Sequence, residues 1–319
     1  MPGSVRLIFN PVAGQGDPDQ ELALIKTLLA DLNLEVCVTS KEIGADALAE
    51  EAVQQGVDAV IASGGDGTLS AAAKALMGTG IPLGVIARGT ANAFANALEI
   101  PTTIEGACKT ILHQYTQKID IASCNGQPMV LLAGIGFEAE TVEKANREAK
   151  NRFGILAYVL AGLRQLRDME QFEAEVETDD KVISFSASAL TVANAAPATS
   201  VLAQGPSGLV VDDGLLDLTI VAPTNRASAI TATYHLFQSA ISGNPSDRDD
   251  IGYVRSRRFK VTTHPPQKVV LDGEMIGTTP VDIECIPAGL TVFLPSPNED
   301  AIATEKLDGL PDLVIESKD

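Results

Sequence analysis

The run Gly64-Gly65-Asp66-Gly67-Thr68 follows directly on the apolar stretch Ala59-Val60-Ile61-Ala62, and it restricts the local fold more than any other segment of the chain. Its three glycines remove Cβ atoms where a backbone must bend sharply or approach a ligand closely. Thr68 opens an expected helix, Thr68 to Met77, whose free N–H groups would face an anion. The arrangement recurs on either side. Asn10-Pro11-Val12-Ala13-Gly14-Gln15-Gly16 follows the apolar run Val5 to Phe9, and Arg88-Gly89-Thr90-Ala91-Asn92 follows Pro82 to Ala87. A carboxylate within a phosphate loop repels the phosphate, so Asp66 implies a bridging metal or a proton to be moved, as in a kinase. A solvated turn residue is the plainer alternative.

From residue 5 to about 122 the pattern alternates strand and helix. Asp17, Pro18 and Gln20 give N-cap, N1 and N3 signals for a helix with Leu22, Ile25, Leu29 and Leu32 on one face. Leu34 to Thr39 reads as the next strand, Ala45 to Gln54 as a helix, Asp58 to Ala62 and Leu83 to Ala87 as strands. Such alternation predicts an α/β domain over 1–122: a parallel sheet covered by helices, with ligands outside the carboxyl ends of the strands. Residues 123–298 carry longer alternating or apolar runs: Val130 to Gly134, Phe172 to Glu177, Val182 to Val192, Leu215 to Val221, Arg258 to Thr262, Lys268 to Leu271 and Leu290 to Leu294. They predict a mainly antiparallel β domain, interrupted by helical insertions around Glu138 to Arg167 and Ala227 to Ile241. Residues 299–319 read as a charged tail.

With 319 residues there is length for two ordinary cores. The longest apolar stretches, Ile155 to Leu163 and Val130 to Ile135, fall short of the roughly 18 to 20 residues that span a bilayer. No charged and apolar leader precedes Val5, so a cytoplasmic location is expected. Cys37, Cys108, Cys124 and Cys285 lack CxxC spacing, which points to packed thiols rather than disulfides or zinc. A net charge of −19 argues against nucleic-acid binding. Two basic clusters stand out against it, Lys144, Arg147, Lys150 and Arg152, and Arg255, Arg257, Arg258 and Lys260; each is a solvated face or a membrane-facing rim.

Two acidic loops complete the pattern. Asp212-Asp213-Gly214 precedes one expected strand and Asp272-Gly273-Glu274 follows another; each alone is an ordinary hairpin signal. Taken in order with the glycine loops, these residues resemble the bacterial diacylglycerol kinase-like lipid kinases, whose catalytic domain is shared with sphingosine and ceramide kinases. The resemblance covers nearly the whole chain. Asn10-Pro11 to Gly14 resembles the first nucleotide loop, and Thr39 falls where the family has a threonine closing its second strand. Gly64 to Thr68 matches the glycine-rich signature, and Gly89-Thr90-Ala91-Asn92 resembles the second nucleotide loop. Gly134-Ile135-Gly136-Phe137, Arg152-Phe153-Gly154 to Tyr158, Asp213-Gly214-Leu215-Leu216-Asp217 and Asp272-Gly273-Glu274 then follow in family order.

The resemblance implies a phosphofructokinase- and NAD kinase-like α/β domain, a β-sandwich-like second domain, and a cleft between them for ATP and a lipid such as diacylglycerol. It implies Glu274 as general base, and Asp66 and Asp120 in an acidic Mg²⁺ network near the phosphates. Asp213, with the carbonyls of Val210 and Leu215, would ligate a structural Mg²⁺. Gly64, Gly65, Gly67, Gly89, Thr90 and Asn92 would hold the nucleotide, with Asn10, Pro11, Gly14, Thr39 and Thr68. Transient contact with a membrane surface is implied too, and a homodimer is left open. Ala93 stands where many relatives have Asp, and Gln15 where many have a cation; Arg88 is the candidate to restore that charge. These departures keep a non-catalytic lipid- or nucleotide-binding relative among the alternatives. NAD kinases share the Gly-Gly-Asp-Gly-Thr signature, but their Gly-Ser-Thr-Ala-Tyr-type segment has no counterpart here.

Overall fold

The computed structural model describes residues 3–136, 171–197, 209–223 and 248–296, with 200, 203, 228, 231, 232, 234–236, 238 and 246 between them. The first half follows the expected alternation: β1 (Val5–Phe9), α1 (Pro18–Leu28), β2 (Leu34–Val38), α2 (Ala45–Gln55), β3 (Ala59–Gly64), α3 (Asp66–Leu76) and β4 (Leu83–Ala87). These strands pair in parallel in the order β2-β1-β3-β4. Capping sets the ends of the helices. Asp17 accepts hydrogen bonds from the amides of Asp19 and Gln20 to start α1, and Gly56 in the left-handed region (φ 68°) stops α2. Two helices escape the sequence pattern, α4 (Ala93–Ala97) and α5 (Ile104–Leu112), the first because five residues are too few to show a period.

One boundary changes the meaning of the glycine-rich signature. Strand β3 runs on to Gly64 and α3 begins at Asp66, so Gly65 alone forms the turn. The segment is therefore a strand end and a first helical turn rather than a loop, and the expected start of the helix at Thr68 is two residues late.

The remaining strands are β5 (Thr116–Cys124), β6 (Gln127–Met129), β7 (Leu132–Gly136), β8 (Phe172–Glu177), β9 (Val182–Ala187), β10 (Ala189–Ala193), β11 (Leu216–Val221), β12 (Ile251–Ser256), β13 (Arg258–His264), β14 (Lys268–Leu271), β15 (Glu274–Thr278) and β16 (Val281–Phe293). Six of them form an antiparallel sheet in the order β12-β11-β10-β7-β14-β15. Strand β16 pairs in parallel with β4 through Val292 and Leu83, and antiparallel with β5 and β13. Through β16 the parallel sheet continues into β13, β8 and β9 as one ten-stranded sheet. The expected single strand Val182 to Val192 is two strands, because the chain crosses from the edge of one sheet to the middle of the other at Ser188.

Two apolar clusters cover the two faces of the parallel sheet, one under α2 and α3 and one under α1 and α5. A third fills the space between the two sheets, where Ala133, Ile135, Leu190 and Val269 meet Phe172, Val176, Phe259 and Ile283. The C-terminal half is thus an antiparallel β-sandwich, as expected. The described residues between 228 and 238 are helical, while the insertion expected over 138–167 and the tail over 299–319 lie outside the described residues. Among the described residues no helix is long and apolar enough to cross a membrane.

Phe259 lies on β13 in the middle of the sandwich and is fully buried. Phe259→Ala should cost about 3–5 kcal/mol in urea unfolding, because the ring's space cannot collapse between two sheets.

Candidate active site

The ends of β1, β3 and β4 open together on one edge of the sheet, as a parallel α/β sheet requires. Two clefts lie there, on either side of Val12 and Ala13. The first, about 810 Å³, is lined by Asn10, Pro11, Thr39, Lys41, Gly65 and Thr68 among others. The second, about 690 Å³, is lined by Gly14, Gln15, Arg88, Gly89, Thr90 and Asn92 among others. Nearly every nucleotide-loop residue expected from the sequence borders one cleft or both.

Hydrogen bonds fix this edge. The Asn10 side-chain amide donates to Thr68 Oγ1 (2.8 Å), its carbonyl oxygen accepts from Val12 N (3.1 Å), and its backbone N–H donates to Ser63 O (2.9 Å). Thr39 N donates to Phe9 O (2.9 Å), which ends β2 beside the first cleft. Gly89 cannot be larger: a Cβ there would lie 2.9 Å from the Gly65 Cα, so the two glycine segments touch backbone to backbone. Gly14 has φ +89°, which a side chain would strain. Helices α2 and α3 start at Gly44 and Gly65 with no side-chain cap, unlike α1 and α5 with Asp17 and Thr103. Both uncapped ends border the first cleft, so their unpaired N–H groups and positive dipole ends are available to an anion.

Arg88 does not supply the charge missing at Gln15. Its guanidinium is buried, stacked 4.3 Å over the Phe9 ring, and fully used: Nε donates to Glu21 (2.7 Å), Nη1 to Asn10 O (3.0 Å) and Nη2 to Ala13 O (2.9 Å). Arg88 therefore rivets the first loop and α1 to the end of β4. Lys41, which the sequence reading did not single out, is exposed on the rim of the first cleft and makes no ion pair among the described residues. Asp66, half-buried in the first turn of α3, accepts the N–H of Phe94 (3.3 Å) in the first turn of α4.

The acidic residues of the second half have different roles. Asp120 is only 2% exposed, and its two oxygens accept from Gly214 N (2.6 Å) and Ala288 N (2.8 Å). It fastens the 213–214 turn to the bulge of β16, a position unlike the solvated network expected for it. Asp272 and Gly273 form a two-residue hairpin turn with φ 50° and 89°, closed by the pair Leu271 and Glu274. The Asp272 carboxylate is 2% exposed and accepts from the amides of Val130 (3.0 Å), Leu131 (2.8 Å) and Leu132 (3.2 Å); Lys74 Nζ of α3 lies 3.1 Å away. Glu274, which follows the turn, is exposed, and its carboxylate has no hydrogen bond or ion pair among the described residues. No hydrogen bond or ion pair among the described residues joins Asp66 to Asp120, Asp213 or Glu274.

Asp213 accepts from Leu215 N (3.0 Å) on one oxygen and pairs with Arg255 on the other. Arg255 Nε also lies 3.0 Å from the buried Asp217, whose carboxyl burial raises to about 6, with Arg255 pulling it back and Asp213 adding to the rise. The Asp213 carboxylate and the backbone carbonyls of Val210 and Leu215 are oxygen donors of the kind that hard Mg²⁺ takes, so the set fits the ion by type. Arg255 would share Asp213 with it. Two more of the Arg255–Lys260 cluster are paired as well: Arg258 pairs with Asp282, and Lys260 Nζ lies 3.2 Å from Glu177, while Arg257 is exposed. The other basic cluster, Lys144 to Arg152, lies outside the described residues. Burial raises the thiols of Cys108 and Cys124 to about 11 and that of Cys285 to about 12, so they are packing groups rather than nucleophiles.

An α/β domain covered on both faces, with uncapped helix starts at the ends of its parallel strands, is thus joined to an antiparallel sandwich. Comparison with known proteins agrees. Residues 4–124 match the diacylglycerol kinase catalytic domain, and residues 132–294 the YegS C-terminal NAD kinase beta sandwich-like domain. The chain belongs to the bacterial diacylglycerol kinase-like lipid kinase family. It is 30% identical to a diacylglycerol kinase of Bacillus subtilis over 297 residues, 91% of this chain and 96% of that protein. It is 50% identical to an uncharacterized protein of Synechocystis over 304 residues, 92% of this chain and 70% of that one. The crystal structure of a diacylglycerol kinase from Bacillus anthracis superposes with a TM-score of 0.72 at 25% identity, covering 92% of this chain and 97% of that one.

Sequence reasoning missed Lys41, Lys74, Glu21 and the anchoring role of Asp272. Only the Asp-Gly hairpin signal could have located the last of these. Arg88→Met removes the guanidinium stacked on Phe9 and leaves Glu21 and two carbonyls without their donor. It should lose about 3 kcal/mol in chemical denaturation and weaken nucleotide binding with it. With Asp213 as a Mg²⁺ ligand, Arg255→Gln should tighten Mg²⁺ binding roughly fivefold in nucleotide-free calorimetry, since one opposing charge costs on the order of 1 kcal/mol.

Proposed function

We propose that this protein transfers the γ-phosphoryl group of ATP to the hydroxyl of diacylglycerol, giving phosphatidic acid and ADP, with Mg²⁺. The observation that carries the reading is the pair of adjoining clefts bordered by the uncapped starts of α2 and α3, in a chain of the lipid kinase family. A triphosphate brings about four negative charges. Backbone N–H groups, Asn10, Thr39, Thr68, Asn92 and the free ammonium of Lys41 are what this edge offers to hold it.

Glu274 is the proposed general base. It is exposed, so a substrate can reach it, and its carboxylate is unpaired among the described residues, so it can accept a proton. It takes the proton of the acceptor hydroxyl as that oxygen attacks the γ-phosphorus, and the bond to the ADP oxygen breaks. Mg²⁺ supplies charge neutralisation on the phosphates. Asp66, in the glycine segment at the start of α3, is assigned to the hydrated cation. Asp213, with the Val210 and Leu215 carbonyls, is assigned to a structural cation, and Asp120 to holding the neighbouring turn. The acceptor resides in a bilayer, so the protein works from the cytoplasm in transient contact with a membrane surface.

The reading is tested with radiolabelled ATP and a mixed-micelle lipid panel, the product being identified by mass spectrometry. Label should appear in phosphatidic acid, and no transfer to any lipid would sink the proposal. Glu274→Gln should cut turnover at least about 10³-fold with ATP affinity kept within twofold, as loss of a proton acceptor used only in the transition state requires.

A further inference from the structure

Helix α3 carries the nucleotide segment at its start and Lys74 in its last turn. Lys74 is 29% exposed, and its ammonium sits 3.1 Å from the Asp272 carboxylate, which is almost fully buried. A cation in the last turn is favoured by the helix dipole, so α3 itself supports this placement. Asp272 in turn accepts three consecutive backbone amides, Val130 to Leu132, and its own N–H donates to Leu132 O (3.0 Å). The turn that carries Glu274 is therefore fixed on two sides. The segment 130–132 holds it within the sandwich, and Lys74 ties it to the helix whose other end borders the nucleotide cleft. Asp66 and Lys74 are eight residues apart on that helix, about 12 Å of rigid rod.

We propose that Lys74 is a positioning residue for Glu274. Through Asp272 it sets the position of the acceptor-side carboxylate against the nucleotide-side end of α3, so that one helix spaces the two halves of the reaction. This rests on the reading of Glu274 as the base. Phosphoryl transfer has little covalent chemistry for a protein to perform, and its rate depends on holding acceptor and phosphorus in line. A loosened turn would therefore lower kcat while leaving ATP binding alone, because the start of α3 is untouched.

The test uses the full-length protein with ATP and diacylglycerol in mixed micelles, comparing Lys74→Met, Lys74→Arg and Glu274→Gln. Activity is normalised to folded protein by near-UV circular dichroism. Lys74→Met should lower kcat about 10- to 50-fold with KM for ATP within twofold, a loss of order 1.4–2.3 kcal/mol at the transition state. Lys74→Arg should restore most of it, and hydrogen exchange at Val130–Leu132 and at the 272–274 turn should speed up in the Met variant only. Lys74→Met with kcat per folded molecule at the wild-type level, while Glu274→Gln is inactive, would overturn the proposal and leave the base reading standing. An active Glu274→Gln would overturn the base reading and this proposal with it.

Discussion

The site depends on one strand that belongs to both halves of the molecule. The first part of β16 puts Val281, Ile283 and Cys285 into the sandwich core. Its last part puts Leu290 and Val292, followed by Leu294 just beyond the strand, into the core under α2 and α3, and Phe293 into the core on the opposite face. Between them the strand bulges at residues 286–290, and the bulge is itself held, by Asp120 through Ala288 N and by Gly78 N on Gly289 O (2.8 Å). A bulge inserts extra residues and bends a strand, which lets β16 join the parallel and the antiparallel parts of one sheet. The consequence is a fixed relation between the glycine segments on the α/β domain and the Asp272–Glu274 turn on the sandwich.

The chain is strongly acidic, and where it places its few cations explains much of its architecture. Arg88 and Lys74 are both committed internally, one to the first loop and Glu21, the other to Asp272. Arg255 and Arg258 are matched to carboxylates in the same way. Removing Lys74 would leave the desolvated Asp272 carboxylate behind, which is costly, whereas the exposed Arg258–Asp282 pair contributes little. What remains for an anionic ligand at the clefts is mainly backbone, in the form of helix starts left without side-chain caps, together with Lys41. Glycine-rich chain at that edge serves this purpose because it brings peptide N–H groups close to an anion without side chains in the way.

The fold was largely legible in the sequence, and the reasons are local. Strand-and-helix alternation, the Asp17-Pro18 cap and the period-two runs of the second half each report on neighbouring residues only, and each corresponds to an observed element. Short elements were not legible: α4 has five residues and β6 three, too few for a period to emerge. The break at Ser188 was hidden because two adjacent strands with no turn residue between them look like one. At the site, the glycine segments were readable as a set because close backbone approach selects glycine by itself. The fate of Arg88 was not, since a guanidinium next to a nucleotide loop looks the same in sequence whether it faces the ligand or is buried against Glu21 and Phe9.

The sequence by itself determined the order of elements, the two-domain class and the chemistry on offer: glycine segments, hydroxyls, amides and carboxylates in a family-specific order. Only the tertiary structure decided which of those groups are spent and which remain free. Asp120, Asp272 and Arg88 are consumed by partners 94 to 168, 140 to 198 and 67 to 78 residues away, while the side chains of Glu274 and Lys41 have no ion pair among the described residues. Pairing at such separations is set by how the sheets join, and no local pattern records it. Desolvation then fixes the roles, because a buried carboxylate must be satisfied from within, whereas an exposed, unpaired one stays available to a substrate.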